Sequence, residues 1–383
     1  MMDDKAKEEK AKKDRVDHQL EINEELDAYK SRGISRREVI KRAGASALVF
    51  GVMGSLLDTV GGSVASASTV KDAAQAVTSG KKLQMLDVGF GDVIAWCDQI
   101  RDSTKFWGGL FNVNVTHMDG GAVAATQLSR LEDIVSSGKK FDFFAVCPIE
   151  SNTLTVPVKK LISRGSTFIQ QVLDVGKPGE DVGYLTFVSC DFVDVGKTLS
   201  SYLFEKIGGH GTAIITHGVA GTSNVIDRQK GVQLALKNYP GIDVLAVGYT
   251  DYSDAMNKTL WESYCTKFKK IDVAVTFTTG DAALYGTYAA LKAAGRAGKT
   301  LIGSNNAEAF ACQAVINGQL AATIRHSSNL LGMWAATIGA AVGHGVISKN
   351  HVPKMSWMPD QLVTNASEAQ SMIFLQQNGL FLA

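Results

Sequence analysis

The chain lacks several features that would point directly to a function. Its 383 residues carry a net charge of only +1, so no basic face for nucleic acid is indicated. The five cysteines form no C-x-x-C pair, and an odd, scattered set does not predict a disulfide framework. The seven histidines show no HxxxH or HExxH spacing, and no G-x-S-x-G elbow is present. We therefore expect no metal, no cofactor and no nucleic-acid partner.

The N-terminal leader differs in composition from the rest of the chain. Residues 1–34 are rich in Lys, Glu and Asp, and SRREVIKRAGASALVFGVMGSLL follows at 35–57. The Arg36-Arg37 pair, the apolar run and the A-x-A sequence ending at Ala67 are typical of a twin-arginine export signal. The run is short and rich in Gly and Ala, which favours a cleaved signal over an uncleaved anchor. We expect a periplasmic protein that begins near Ser68.

From Lys81 onward, short apolar or β-branched runs alternate with amphipathic stretches of helical length. This alternation predicts an α/β fold built from βαβ units with parallel sheets. About nine strands are predicted, more than one compact domain of about 150 residues usually holds, so two doubly wound sheets are expected. The predicted strands are Leu83–Val88, Val113–His117, Phe141–Cys147, Thr167–Leu173, Tyr184–Ser189, Thr212–Thr216, Asp243–Val247, Asp272–Thr276 and Thr300–Gly303. A Gly-rich, charged segment at Asp174–Gly183 is the best linker signal.

The loop HGVAGTSNVIDRQKG at His217–Gly231 follows a predicted strand and precedes a helix. A P-loop needs Lys and Ser/Thr directly after its last glycine, and a dinucleotide site needs G-x-G-x-x-G. Here Gly221 is followed by Thr-Ser-Asn, and the glycine spacing is only G-x-x-G. Both nucleotide interpretations are weak. The rigid fork of Arg228 can instead bind hydroxyls or a carboxylate in a cleft, or pair with Asp227 at the surface.

Five segments carry a family resemblance when they are taken together. They are GGHGTAIITHGVAGTSNVIDRQKGVQLAL, VSCDFVDVGKTLSSYL, IDVAVTFTTGDAALYGTYAALKAAG, TLIGSNN and INGQLAATIRHSSNLLGMWAA. This pattern resembles the type I periplasmic sugar-binding proteins of ABC importers, typified by ribose-binding protein. The resemblance covers most of 81–345. It implies two doubly wound lobes joined by a three-segment hinge.

The resemblance also implies lobe boundaries. After the leader and signal peptide at 1–67, the N-terminal lobe is expected to comprise 68–174 plus 304–325. The C-terminal lobe is expected to comprise 175–303 plus 326–383. The hinge segments should lie near Val172–Gly176, Ser304–Asn305 and Arg325–Ser327, where a few residues absorb the closing motion.

Carried over by position, the resemblance implies a sugar site between the lobes. The implied contacts are Asp92, Trp96, Asp174 (or Gln171), Arg228, Tyr252, Asp281, Asn305 and His326. Trp96 can equally be a core aromatic, and Asp281 a helix cap. Asn305 stands where the family has an acid, His326 where it has Gln, and Gly280 where it often has Asn. Because such changes alter hydroxyl recognition, we expect a related pentose, hexose or polyol rather than ribose.

The implied function is that of a monomeric, non-enzymatic receptor that delivers a sugar or polyol to the membrane permease of an ABC importer. A sensory protein that reports a sugar or autoinducer to a membrane receptor remains an alternative. An enzyme is a third interpretation, because twin-arginine cargo often carries a cofactor. A cytoplasmic repressor of this fold would have a helix-turn-helix segment before the first strand, where this chain has an export signal.

Overall fold

The computed structural model describes residues 77, 80–92, 94–177, 179–250, 254–277 and 284–377. The strands are β1 (Leu83–Val88), β2 (Val113–Met118), β3 (Phe143–Val146), β4 (Thr167–Gln171), β5 (Thr186–Cys190), β6 (His210–His217), β7 (Gly241–Tyr249), β8 (Val273–Phe277), β9 (Leu301–Asn305), β10 (Ala322–His326), β11 (Met355–Met358) and β12 (Asp360–Val363). The helices are α1 (Ala95–Leu110), α2 (Ala124–Ser136), α3 (Thr155–Ser163), α4 (Phe192–Lys206), α5 (Ser223–Asn238), α6 (Asp254–Lys267), α7 (Leu284–Ala293), α8 (Ala309–Ile316), α9 (Ser328–Gly343) and α10 (Ala366–Gln377).

These elements form two α/β lobes around two six-stranded sheets. The first sheet has the order β11-β5-β4-β3-β1-β2, and its strand pairs are parallel. The second has the order β12-β10-β9-β8-β6-β7 and is parallel except where β12 runs antiparallel to β10. All nine predicted strands are present, and the predicted two-lobe, doubly wound fold is confirmed.

Alternation of side chains along the strands builds the first lobe. Met85 and Phe143 point to one face of the sheet, where α1 and α9 cover them. Their neighbours Leu86 and Phe144 point to the other face, which α2 and α3 cover. A strand buried on both faces must be apolar at every position, which is why β3 reads FFAV and is buried throughout.

Two glycines allow close packing of α4 on α5 in the second lobe. A Cβ atom at Gly196 would overlap the backbone oxygen of Arg228, and one at Gly231 would overlap the backbone oxygen of Val193. The helices therefore approach more closely than side chains would permit. This approach sets the position of Arg228, which lies on α5 between these contacts.

The lobe boundaries differ from those expected. Segment 174–183 is a loop within the first lobe rather than a linker, because β5 pairs with β4 in the same sheet. The loop buries Val175 and Val182 in that lobe's own core. Residues 304–325 lie in the second lobe instead of the first, because β9 and β10 pair with each other.

Within the described residues, the chain passes between the lobes three times. It crosses between β5 and α4, between β10 and α9, and between β11 and β12. The hinge expected at Arg325–Ser327 coincides with the second crossing, whereas those expected at Val172–Gly176 and Ser304–Asn305 fall inside a lobe. Residues 326–383 are thus divided, since α9 and β11 pack in the first lobe.

No helix in the described part of the chain is long and apolar enough to span a membrane.

Candidate ligand-binding site

A cavity of about 100 Å³ lies where the carboxyl ends of strands from the two sheets meet. A single water molecule occupies roughly 10–15 Å³ of such a cavity, so the cavity has room for a small solute. Its polar lining residues come from the second lobe: Asn224, Arg228, Asn305, Asn306 and His326. Its other lining residues are Phe90, Ile94, Trp96, Cys97, Cys147, Val172, Leu173 and Phe192.

Arg228 is the buried cation of this cavity. It is only 3% exposed, and its guanidinium lies 4.7 Å from the ring centroid of Phe192 and 5.8 Å from that of Phe277. Aromatic faces attract a guanidinium and hold its plane in place. The sequence left open a surface ion pair with Asp227, but Asp227 pairs with Lys230 instead, at 2.7 Å. Arg228 is therefore a cleft residue.

His326, the last residue of β10, is held as a neutral ring. Burial is the main cause that lowers its pKa well below 6.5, and the charge of Arg228 adds to the effect. Nη2 of Arg228 lies 3.4 Å from Nε2 of His326. Because a guanidinium only donates hydrogen bonds, Nε2 is the acceptor and Nδ1 carries the proton. Nδ1 is buried and has no hydrogen-bond partner in the described structure.

Asn305 ends β9 and is 1% exposed. Its side-chain nitrogen donates to Oδ1 of Asn306 at 2.8 Å, while its own Oδ1 has no hydrogen-bond partner in the described structure. The backbone then turns sharply, with a φ of 110° at Asn306 and 53° at Ala307. Such positive φ values are uncommon outside glycine and concentrate at functional sites. The turn places two amides at the end of one strand.

The sequence left Trp96 open as either a core aromatic or a residue of the site, and in the structure it is both. It is buried in the first-lobe core and it also lines the cavity. Its indole N–H donates to the backbone oxygen of His326 at 3.2 Å, and the two rings meet edge to face with centroids 5.5 Å apart. The ring therefore contributes an apolar edge to the cavity, and its polar atom serves the contact between the lobes.

Asp92 does not line the cavity, because neighbouring charges hold it elsewhere. Its carboxylate oxygens lie 2.7 Å from Nη1 of Arg101 and 2.9 Å from Nε2 of His117. His117 is bound on its other side by Asp87, at 2.7 Å. Burial by itself would raise the pKa of Asp92, but Arg101 and His117 outweigh it and lower that pKa. The sequence placed Asp92 in the ligand site, whereas the structure binds its carboxylate to Arg101 and His117 outside the cavity lining.

Asp174 and its alternative Gln171 are also absent from the cavity lining. The Asp174 carboxylate accepts a hydrogen bond from the Gly179 N–H at 3.3 Å, inside its own loop, and the Gln171 amide donates to the Leu331 backbone oxygen at 3.2 Å. The residues between them, Val172 and Leu173, line the cavity instead.

A tight turn explains this exchange of residues. Val172 has a φ of 64°, and the Leu173 N–H donates back to the Gln171 oxygen at 2.6 Å. That is the geometry of a γ-turn of the rare, strained kind. The turn directs the chain after β4 so that two aliphatic residues face the cavity.

Tyr252 and Asp281 lie outside the described residues. They belong to 251–253 and 278–283, the segments that follow β7 and β8. Sequence reasoning missed most of the apolar lining. A usable signal was present, because Phe90, Cys147, Leu173 and Phe192 each come one or two residues after a first-sheet strand, where ligands of parallel sheets bind.

The described residues contain no group of three or more His, Cys, Asp or Glu side chains that could hold a metal ion. The two thiols of the cavity are protonated and unreactive. Burial raises the pKa of Cys97 to about 12 and that of Cys147 well above 9. A thiol, unlike a thiolate, is a poor nucleophile and metal ligand.

Comparison with known proteins identifies the family. A sequence profile of the periplasmic binding protein domain matches residues 91–345, which is more than half of the chain. The chain belongs to this family. The resemblance drawn from five short segments is thereby confirmed at the level of the family and its fold.

Relatives of this periplasmic binding protein include proteins named for sugars and polyols. The xylitol-binding protein of Mycolicibacterium smegmatis is 27% identical over 199 residues, or 51% of this chain and 54% of the relative. The D-allose-binding periplasmic protein of Escherichia coli K12 is 25% identical over 280 residues, or 70% and 88%. The match thus spans about half of the first relative's length and most of the second's.

The fold agrees with that of solved structures. A crystal structure of a galactofuranose-binding protein superposes with a TM-score of 0.69, covering 77% of this chain and 99% of the other. The sequence identity is 19%, so this likeness concerns the fold alone.

Proposed function

We propose that this protein is a non-enzymatic receptor that binds a sugar or polyol in the cavity between its lobes and delivers it, as a monomer, to the permease of an ABC importer. One observation supports this most directly. Arg228, Asn305 and His326 line one cavity together with the aromatic rings of Trp96 and Phe192. A sugar has a polar rim and apolar C–H faces, and this combination of groups suits both.

We propose further ligand contacts and a route of export. Tyr252 and Asp281 follow β7 and β8, whose ends face the same side of the second sheet as β9, so they remain candidates for additional contacts. Asp92 and Asp174 are not among the contacts that we propose. The Arg36-Arg37 segment is proposed to direct export by the twin-arginine route, with cleavage after Ala67. Names of relatives such as the xylitol-binding and D-allose-binding proteins support the ligand class.

A thermal-shift screen of the full-length chain against pentoses, hexoses, their polyols and several amino acids tests the ligand class. A ligand that binds only the folded state raises the unfolding midpoint. We expect a shift with at least one sugar or polyol, and we expect Arg228→Ala and Asn305→Ala to abolish it. Lys230→Ala is the matched control, since Lys230 is an exposed residue of the same helix. A folded protein that shifts with no sugar or polyol would rule out the proposal.

Fractionation of the native host tests the export route. The periplasmic protein should begin at Ser68 by N-terminal sequencing. Replacing both Arg36 and Arg37 by Lys should leave the precursor in the cytoplasm. Undiminished export of that double variant would exclude the twin-arginine route. Co-purification with importer subunits or with a histidine kinase would distinguish transport from sensing.

A further inference from the structure

The described side chains on the first-lobe wall of the cavity offer a bound solute almost no hydrogen bonds. Its described side chains, apart from Trp96, are Phe90, Ile94, Cys97, Cys147, Val172 and Leu173. None has a hydroxyl, amide or charged group, and both thiols are neutral, weak donors. The indole N–H of Trp96 is already committed to the His326 oxygen.

The backbone groups of Val172 and Cys147, two residues of this wall, are hydrogen-bonded within the protein. The N–H of Val172 donates to Val188, and its oxygen accepts a hydrogen bond from the Ser189 hydroxyl. The N–H of Cys147 donates to Val88, and its oxygen accepts from Gln127. A solute hydroxyl placed against Val172 or Cys147 would therefore find no free backbone N–H, and only carbonyl oxygens that already accept one hydrogen bond.

The second-lobe wall, in contrast, carries polar side chains. Oδ1 of Asn305 is a buried acceptor and Nδ1 of His326 a buried donor, and neither atom has a partner in the described structure. Both residues line the same cavity. Buried polar atoms of folded proteins nearly always have a partner, so these atoms point to a polar ligand edge on this side.

This difference between the two walls of the cavity indicates a ligand class, provided that the proposed function is correct. We propose that the cavity selects amphipathic sugars, namely deoxy sugars whose hydroxyls face Asn305 and His326 and whose methyl-bearing edge faces Cys97, Cys147 and Val172. A hydroxyl in place of the missing one would be buried without a good partner on this wall, and an apolar pocket disfavours a ligand with such an added hydroxyl by up to about a hundredfold. Cys147 lies at the end of β3 on this wall and is a specificity-determining residue.

Matched sugar pairs test this proposal on the full-length chain. The pairs are L-fucose with L-galactose and L-rhamnose with L-mannose, each titrated by calorimetry. They differ by a single hydroxyl at one carbon. We expect the deoxy member of at least one pair to bind about tenfold or more tightly than its partner.

The outcomes separate the two proposals. If the fully hydroxylated members bind as tightly as the deoxy members, or more tightly, the deoxy-sugar inference is wrong while the sugar-binding function stands. If the folded protein binds no sugar or polyol of either kind, both proposals fail.

A variant pair locates the selectivity. Cys147→Ser adds a hydroxyl to the apolar wall at nearly constant volume and should reduce the preference for the deoxy sugar at least threefold. Cys190→Ser is the control, because Cys190 is a buried thiol of the same core that does not line the cavity. The Cys190→Ser variant should keep the native chain's preference for the deoxy sugar. Equal loss of preference in both variants would overturn the assignment of Cys147. The native-chain titrations decide the ligand class even if a variant fails to fold.

Discussion

The indole N–H of Trp96 donates a 3.2 Å hydrogen bond to the backbone oxygen of His326. Trp96 lies at the start of α1 in the first lobe, and His326 is the last residue of β10 in the second. The bond thus joins the lobes beside the cavity, at the point where the chain itself crosses between them. An interaction at this place bears on both stability and closure.

Trp96→Phe should remove this hydrogen bond and keep an aromatic ring in the cavity. We expect a loss of about 1 kcal/mol in the free energy of unfolding, as for a typical hydrogen bond, together with weaker sugar binding. Chemical denaturation and calorimetric titration measure the two effects. Trp357→Phe is the control, since Trp357 is 52% exposed on the edge strand β11. A Trp96 variant that behaved like this control would show that this hydrogen bond contributes neither to stability nor to binding.

Arg228→Lys should weaken binding of the sugar found in the screen by about tenfold or more while the protein remains folded. A lysine ammonium is a point charge that cannot reproduce the planar fork of arginine or its stacking on Phe192. The measurement is calorimetric titration, with circular dichroism to check the fold. Lys230→Met on the same helix should bind normally. Unchanged affinity in Arg228→Lys would show that the fork is not used for ligand.

Gly231→Ala should destabilise the second lobe by about 1–3 kcal/mol, because its methyl group would be forced against the backbone of Val193. Separation of α4 from α5 should also displace Arg228 and lower ligand affinity. Gly109→Ala is a matched control in helix α1, where an added Cβ would meet no atom within 4 Å. That control should be neutral or stabilised by up to about 1 kcal/mol through helix propensity. Similar effects of the two substitutions would contradict the close-packing argument.

The carboxyl group of Asp360 should make stability depend on pH. Asp360 opens β12 at the third crossing and lies opposite His326. Burial, with the charges of Asp194 and Asp191, raises its pKa to about 8 against an opposing effect of Arg228. The folded state therefore keeps a proton that the unfolded chain, with a pKa of 3.8, releases. Asp360 therefore lowers the free energy of unfolding by an amount that is absent below about pH 4 and grows as the pH rises towards 8.

Asp360→Asn removes this titration. The stability of the variant relative to the native chain should increase steadily from pH 5 to pH 8, as measured by urea denaturation at several pH values. The difference between the two proteins isolates Asp360 from other buried groups, such as Glu308, whose pKa burial raises to about 7. A difference that stays constant with pH would mean that Asp360 is ionised in the folded protein.

Much of the cavity's polar side could be predicted from the sequence. The family resemblance implied Arg228, Asn305 and His326, and all three line the cavity. Asn305 and His326 are the last residues of β9 and β10, and Arg228 lies in the second turn of α5, the helix that follows β6. Asp92 and Asp174 had equally plausible positions but contact other groups, because residues remote in the chain or a local turn bind their carboxylates first.

The sequence by itself determined that this chain alternates strands and helices and forms a two-lobe α/β protein, because the period of apolar residues along a strand or helix is a local property. Only the tertiary structure decided which strands share a sheet. It placed β5 and β11 in the first sheet and β9 and β10 in the second, since pairing joins segments far apart in the chain. It also decided that one wall of the cavity is apolar and the other polar. That contrast arises from residues on different strand ends, which no local pattern relates to one another.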